Sequence, residues 1–221
     1  MSHRILLLLT LCALAGSAFG QGGQASFSRF NFNAGGGIGI GRGDVASFVG
    51  NEPAAVFGAG MNVSRMFGFN AEYMYNDLKF RDSVVVNQHL PGQIGHMQSI
   101  SLNGIVNVPK HFGKLAAYGI LGVGFYDRTV SVNPAQPLQN GADEPAWKWW
   151  DLKRDIFGVP LPGQTLSSRS KIAGGFNFGG GITFRTNYLG RAKLFVELRY
   201  HRAYQSDGET ILMPLTVGLR W

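Results

Sequence analysis

The feature that most constrains the fold is a strict alternation of side chains over residues 210–221. A period of two indicates a β-strand, since successive side chains of a strand point to opposite faces. The segment has about the 9–11 residues that a tilted strand needs to cross a membrane. The pattern therefore predicts a strand with lipid on one face and a polar interior on the other. The apolar face carries Ile211, Met213, Leu215, Val217, Leu219 and Trp221, and the other face carries Pro214, Thr216, Gly218 and Arg220.

The N-terminal segment has the pattern of a secretory signal peptide. His3 and Arg4 precede an apolar run over residues 5–15, and the following Ser17-Ala18-Phe19-Gly20 has small residues at the two positions that a signal peptidase reads. This order predicts a signal peptide of residues 1–20 with cleavage before Gln21. The run is too short for a transmembrane helix, and no later stretch approaches eighteen consecutive apolar residues. Because Cys12 is the only cysteine and lies in that run, we expect a mature chain without a thiol, a disulfide or a lipid anchor.

Composition fits one exported all-β domain. The chain has 221 residues with 32 glycines and 16 phenylalanines, and its mean hydropathy is +0.01, as expected where apolar and polar residues alternate. The net charge of +7 falls to +6 when Arg4 is removed. The basic residues form no cluster along the chain, so we expect them in solvated loops and a polar interior, and we expect no nucleic-acid partner.

Seven further segments alternate in the same way. The fifth has an ambiguous facing, because Tyr118 and Ile120 fall on its otherwise small or polar face. The eight predicted strands are 30–40, 56–64, 69–76, 98–108, 115–126, 171–185, 193–201 and 210–221. The connections after the odd-numbered strands are long (41–55, 77–97, 127–170 and 202–209), and the other connections are short. Such asymmetry is typical of outer-membrane barrels, with short turns and both termini in the periplasm.

The chain resembles the OmpA/OmpX-type small outer-membrane β-barrel superfamily, in its single-domain form. The resemblance lies in the signal peptide, the eight alternating strands and a last strand that ends in an aromatic residue. It implies an all-β fold, an eight-stranded antiparallel up-and-down transmembrane barrel over residues 21–221. It also implies a monomer in the outer membrane of a Gram-negative-type bacterium, in contact with outer-membrane lipid and lipopolysaccharide. The assembly signal read by the barrel-assembly machinery would be Leu215, Val217, Leu219 and Trp221.

Charged residues on the predicted inner faces are the first candidate site. An eight-stranded barrel has an interior that side chains fill, and buried charges must be paired. We therefore expect a network of ion pairs in the lumen rather than an open pore, although inner glycines leave a narrow water-filled channel as an alternative. The expected members are Glu72, Arg185, Glu197, Arg199 and Arg220.

Motifs for catalysis are sparse. The sequence has no HExxH, CxxC, GxSxG or GxGxxG motif, so we expect no enzyme, no cofactor and no metal site. One alternative is a lipid A hydrolase built on His201, with Ser206, Asp207 or Glu209 as its partners. Related deacylases have a serine two residues after the histidine, where this chain has Ala203. We expect a catalytically inactive histidine at the base of a loop.

Two loop segments are candidates for surface binding. Arg42-Gly43-Asp44 resembles an integrin-recognised tripeptide, although three residues often recur by chance. The loop 127–170 contains Trp147, Trp149 and Trp150, which could dock on the headgroup layer, bind a glycan or pack on the barrel rim. The sequence thus favours a structural or surface-binding outer-membrane barrel whose long loops are its working surface, with the channel and the hydrolase as alternatives.

Overall fold

Eight antiparallel strands, each paired with the next, form a closed barrel in the computed structural model. The structure describes residues 28–43, 45–79, 93–109, 113–132, 167–186, 188–205 and 208–221. The predicted signal peptide and the tryptophans at 147, 149 and 150 lie outside these ranges. The strands are β1 Phe30–Arg42, β2 Asn51–Asn62, β3 Phe67–Asp77, β4 Gln93–Asn107, β5 Leu115–Val132, β6 Ser167–Arg185, β7 Lys193–Gln205 and β8 Gly208–Arg220, and one short helix, α1, spans Val45–Phe48.

The last strand closes the barrel against the first. The Cα partners of β1 and β8 run from Asn33 with Arg220 to Arg42 with Ile211. Beyond this ladder, the Trp221 amide donates to the Phe32 carbonyl over 2.9 Å. Closure leaves no open sheet edge. Strands in lipid require such closure, because unpaired backbone groups there have no water to bind.

The two faces of the barrel differ as the alternation predicts. Outward side chains such as Val123 and Phe125 are 65% and 70% exposed, whereas inward Asn70 and Asn103 are almost fully buried. The ambiguous strand, β5, follows the same rule. Tyr118 and Ile120 point inward and are buried, and Gly181 makes room for the tyrosine, since a Cβ there would lie 2.6 Å from the Tyr118 hydroxyl.

Several strands extend further toward the long loops than the sequence predicted. We expected a long connection at 202–209, and this prediction is wrong, because the β7–β8 ladder continues to the pair Gln205 and Gly208. The alternation pattern missed this part of β7 and β8 because polar residues occupy their outward face there. Arg202 and Glu209 pair with each other there, with guanidinium to carboxylate distances of 2.9 and 2.6 Å.

The interior near the long loops is closed by apolar side chains. Val45 at the start of α1, Val49 just after it and Leu78 just after β3 are all buried. The Gly50 amide donates to the Lys79 carbonyl over 3.1 Å, which ties the β1–β2 connection to the end of β3. Arg42 of the predicted tripeptide is exposed, and Asp44 lies outside the described residues. No helix in the described ranges has the length and apolarity to cross a membrane.

Candidate functional site: the charged interior of the barrel

A buried guanidinium bridges two carboxylates at mid-barrel. Arg199 of β7 lies between Glu72 of β3 and Glu197 of its own strand, and each of the three residues is only 2% exposed. The Arg199 guanidinium contacts the two Glu72 oxygens at 2.6 Å (Nη1 to Oε1) and 2.7 Å (Nη2 to Oε2). Its Nε donates to Glu197 Oε1 over 2.6 Å. Charge-assisted contacts of this length are among the stronger hydrogen bonds in proteins, and here they compensate charges that are removed from water.

Glu197 has two further partners on the side facing the short turns. The Tyr118 hydroxyl donates to Glu197 Oε2 over 2.7 Å, and Arg220 Nη2 lies 3.4 Å from the same oxygen. The Arg220 guanidinium also stacks 4.1 Å from the centre of the Tyr118 ring and 5.4 Å from that of Phe195. The carboxylate is therefore shared by two arginines and one tyrosine, and Arg220 is held between two aromatic rings.

Glycines opposite these long side chains provide the space they occupy. A Cβ at Gly179 of β6 would lie 2.7 Å from the Arg199 Cα and 2.9 Å from its Cγ. A Cβ at Gly58 of β2 would lie 2.3 Å from the Asn33 amide oxygen. Such distances are shorter than real contacts. Gly58 is fixed by the amide side chain that faces it, and Gly179 is fixed first by the backbone of β7, whose Leu198 carbonyl oxygen would lie 2.2 Å from the added Cβ.

An amide chain connects the charged cluster to the opposite wall. The Asn33 amide nitrogen donates to Glu72 Oε2 over 2.8 Å, and Asn70 donates to Asn33 over 3.0 Å. Asn103 in turn donates to Asn70 over 3.1 Å and Asn177 to Asn103 over 3.0 Å. An amide both donates and accepts, so four of them on different strands form a continuous chain. Inward positions in the alternation identify these asparagines, but only the register brings them together.

The structure brings together four of the five residues expected in the lumen network. Glu72, Glu197, Arg199 and Arg220 are connected by the contacts above. Arg185 is not among them. It lies at the end of β6, where its side chain is exposed and makes no ion pair within the described residues. Arg185 occupies an inward position in the alternation of β6, but the strand ends there, so the residue lies at the mouth of the barrel rather than in its middle.

The two candidate residues for hydrolysis that the structure describes, His201 and Glu209, lie on opposite faces of the barrel wall. We expected His201 at the base of a loop, but β7 continues for four residues beyond it, and the histidine faces the lumen and is 2% exposed. Its Nδ1 lies 3.2 Å from the Tyr126 hydroxyl. Glu209 instead pairs with Arg202 on the outward face, and Ser206 and Asp207 lie outside the described residues. The alternation predicted for the seventh strand already put His201 on the inner face with Glu197 and Arg199, but the expected end of that strand put it at a loop.

The predicted assembly residues form an outward row on β8. Val217 is 51% exposed and Trp221 is 39% exposed, and Leu215 and Leu219 lie on the same face. In the part of the chain that the structure describes, no three His, Cys, Asp or Glu side chains are grouped so as to hold a metal ion.

Comparison with known proteins identifies the fold. No protein-family model matches the sequence, and no curated protein matches it. One similar structure is that of Neisserial surface protein A (NspA), with a TM-score of 0.54 and 13% identity over 87% of this chain and 96% of NspA. Another is a major outer membrane protein from Thermus thermophilus, with a TM-score of 0.54 and 10% identity over 88% of this chain and 99% of that one.

These likenesses are of fold, because the identities are low. Together with the closed sheet and its apolar outer face, they confirm the predicted class, an eight-stranded antiparallel up-and-down transmembrane β-barrel of the outer-membrane type. The predicted resemblance to small outer-membrane barrels is confirmed at this level.

Proposed function

We propose that this chain is a structural, surface-binding barrel of the outer membrane, in which the strands are a closed anchor and the long loops are the working surface. The observation that carries the proposal is the buried Glu72–Arg199–Glu197 cluster across the lumen. A conducting pore needs a continuous aqueous path, whereas all three of these side chains are almost fully buried and bonded to one another.

The rest of the interior supports a closed anchor. The amide chain from Asn33 to Asn177 crosses the lumen beside the charged cluster. Val45, Val49 and Leu78 fill the end near the long loops with apolar side chains. A lumen crossed by these groups supports a closed anchor, so the function of the protein is expected to lie in the segments that project from the barrel.

The outward face near the long loops supports contact with lipopolysaccharide. Tyr200 and Tyr204 of β7 lie beside Phe176 of β6, with ring centroids 6.3 and 6.1 Å from that of the phenylalanine. The Arg202 guanidinium lies 5.2 Å from the centre of the Tyr204 ring. Aromatic rings with a cation are typical of the interface between lipid tails and anionic headgroups. We assign the surface-binding role to the loops above this band, including Trp147, Trp149 and Trp150.

The proposal includes export and assembly. Residues 1–20 would direct secretion and be removed, leaving the barrel domain 21–221. The row Leu215, Val217, Leu219 and Trp221 would be the signal for the barrel-assembly machinery, and the barrel would work as a monomer in the outer membrane of a Gram-negative-type bacterium. The short turns would then face the periplasm.

A narrow channel is the second candidate function. It is favoured by polar atoms in the lumen that are buried and lack a hydrogen-bond partner, namely Asn76 Oδ1, Ser99 Oγ and both side-chain polar atoms of Gln205. We place the channel second because these atoms lie on the long-loop side of the Arg199 cluster. The cluster crosses the lumen between them and the short-turn end. A rim hydrolase has no comparable support, since His201 points away from lipid. We therefore propose that the protein is not an enzyme.

Single-channel recording tests the proposal. We expect purified protein in planar bilayers to show no steady conductance, and a variant with Arg199→Ala and Glu72→Ala to conduct if it folds. Steady conductance of the unmodified protein would favour the channel.

Replacing Trp147, Trp149 and Trp150 together by alanine should change binding to lipopolysaccharide bilayers while leaving the folded yield unchanged. If this variant bound lipopolysaccharide bilayers as the unmodified protein does, the tryptophans would not have the role assigned to them.

A further inference from the structure

Three basic residues lie side by side on the inner face at the short-turn end of the barrel. Arg185 ends β6, Lys193 begins β7 and Arg220 ends β8. Arg185 is the Cα partner of Lys193, and Lys193 is the Cα partner of Arg220. We call these three residues the basic mouth. They are far apart along the chain, and only the strand register brings them together.

The basic mouth has too little negative charge within the described structure. Its one ion-pair partner there is Glu197, which contacts Arg220 at 3.4 Å. The same carboxylate already holds Arg199 at 2.6 Å and the Tyr118 hydroxyl at 2.7 Å. Arg220 Nη1 is buried and has no hydrogen-bond partner. Like charges on directly paired strand positions destabilise a sheet, so this arrangement needs a compensating anion.

The surroundings increase the positive potential. Other described basic residues at the short-turn end are Arg29, Arg65, Lys114 and Arg191. The described Asp and Glu residues are Glu52, Asp77, Asp127 and Glu209, toward the long loops, and Glu72 and Glu197 at mid-barrel. A mouth with walls of low dielectric constant concentrates such a field and raises the local concentration of anions.

We propose that the basic mouth binds a phosphoryl anion, supplied by the headgroup of an anionic phospholipid in the adjoining leaflet or by free phosphate. The site goes beyond the proposed function, because it lies at the end of the barrel away from the long loops. Two guanidinium groups and one ammonium group suit a tetrahedral anion, since both kinds of group donate charge-assisted hydrogen bonds to phosphoryl oxygens.

Each of the three side chains has a distinct part. Arg220 lies against the rings of Tyr118 and Phe195 with Nη2 turned to Glu197, and its Nη1 is buried without a hydrogen-bond partner. Lys193 is half-buried at the centre of the group, and Arg185 is exposed beside it. Arg220 would therefore be the preorganised contact, and Arg185 would close on the anion from solvent.

Ligand titration with matched variants tests the site. The unmodified protein, in a detergent with a neutral headgroup, would be titrated with short-chain phosphatidylglycerol, short-chain phosphatidylcholine and inorganic phosphate. Native mass spectrometry and intrinsic fluorescence would report binding. We expect Lys193→Gln to weaken phosphatidylglycerol binding by about tenfold, as the loss of one charge-assisted contact does. Lys193→Arg should restore binding, and Arg191→Gln, which removes the same charge from an exposed turn, should change it by less than about twofold.

The outcomes separate the ligand sources. Binding of phosphatidylglycerol without inorganic phosphate identifies a lipid headgroup, and binding of both with similar affinity identifies the phosphoryl group alone. Equal weakening by Lys193→Gln and Arg191→Gln, or equal binding of phosphatidylcholine, would overturn the proposal in favour of a diffuse surface field. Absence of binding to the unmodified protein would overturn it directly. Heat-modifiable gel migration verifies that each variant is folded, and channel recording, which tests the proposed function, does not depend on any of these results.

Discussion

The middle of the barrel and its short-turn mouth both carry inward arginines, but their charges are compensated differently. At mid-barrel, Arg199 contacts two carboxylates at 2.6 Å and both carboxylates are buried with it. At the mouth, Arg185, Lys193 and Arg220 lie on adjacent strands with Glu197 as a shared, more distant partner. Inward charged residues therefore have two different roles in this barrel. A paired charge fills the lumen, and a crowded one marks a place where a ligand completes the charge balance.

The largest effect is expected from breaking the paired cluster. We predict that Arg199→Gln lowers the free energy of unfolding by about 3–5 kcal/mol, because it leaves buried carboxylates uncompensated. The double variant with Glu72→Gln should lose less than the two single losses combined. Urea unfolding of the folded barrel in detergent measures all four species. Strictly additive losses would indicate a wet, screened lumen and would favour the channel.

A lipid-facing charge should be the next most costly change. We predict that Val217→Lys lowers stability by about 2–4 kcal/mol if its position is near the membrane midplane, and by less toward an interface. Together with Leu219→Lys it should reduce the folded yield, measured by heat-modifiable migration on a gel. Val217→Leu is the matched control and should fold normally. Normal folding of the double lysine variant would contradict the outward facing of β8.

Tight packing around Arg199 predicts a smaller loss. Gly179→Ala would place a Cβ 2.2 Å from the Leu198 carbonyl oxygen and 2.7 Å from the Arg199 Cα, and overpacking of this kind costs about 1–3 kcal/mol. Gly174→Ala on the same strand is the control, since nothing lies within 4 Å of its added Cβ. Thermal unfolding of the two variants side by side gives the comparison. Equal stability would mean that the lumen near Arg199 is looser than the structure indicates.

These regions also differ in how far the sequence predicts them. Alternation is a local property, so it places Glu72, Arg199 and the outward row of β8 on the correct faces. Which inward residues meet depends on register and closure, which connect positions far apart in the chain. Asn33 therefore reaches Glu72, and Arg185 reaches the mouth instead of the cluster, for reasons that no local pattern contains. The ends of β7 and β8 were missed because Arg202 and Glu209 neutralise each other on a face that was expected to be apolar.

The smallest effect on the free energy of unfolding is expected at the basic mouth, where the substitution should stabilise the barrel rather than destabilise it. Because Lys193 is paired with Arg185 and Arg220 on the neighbouring strands, Lys193→Gln removes like-charge repulsion. We predict that it raises the free energy of unfolding by about 0.2–1 kcal/mol in an anion-free neutral detergent. Lys193→Arg retains the charge and should show no gain. Urea unfolding at low ionic strength measures the difference, and added salt should shrink it by screening. An anionic phospholipid that binds the folded protein should stabilise the unmodified chain more than Lys193→Gln and so reverse the order of the two. Destabilisation by Lys193→Gln in the absence of anions would mean that Lys193 is already compensated, as Arg199 is, and the distinction between the two regions would fail.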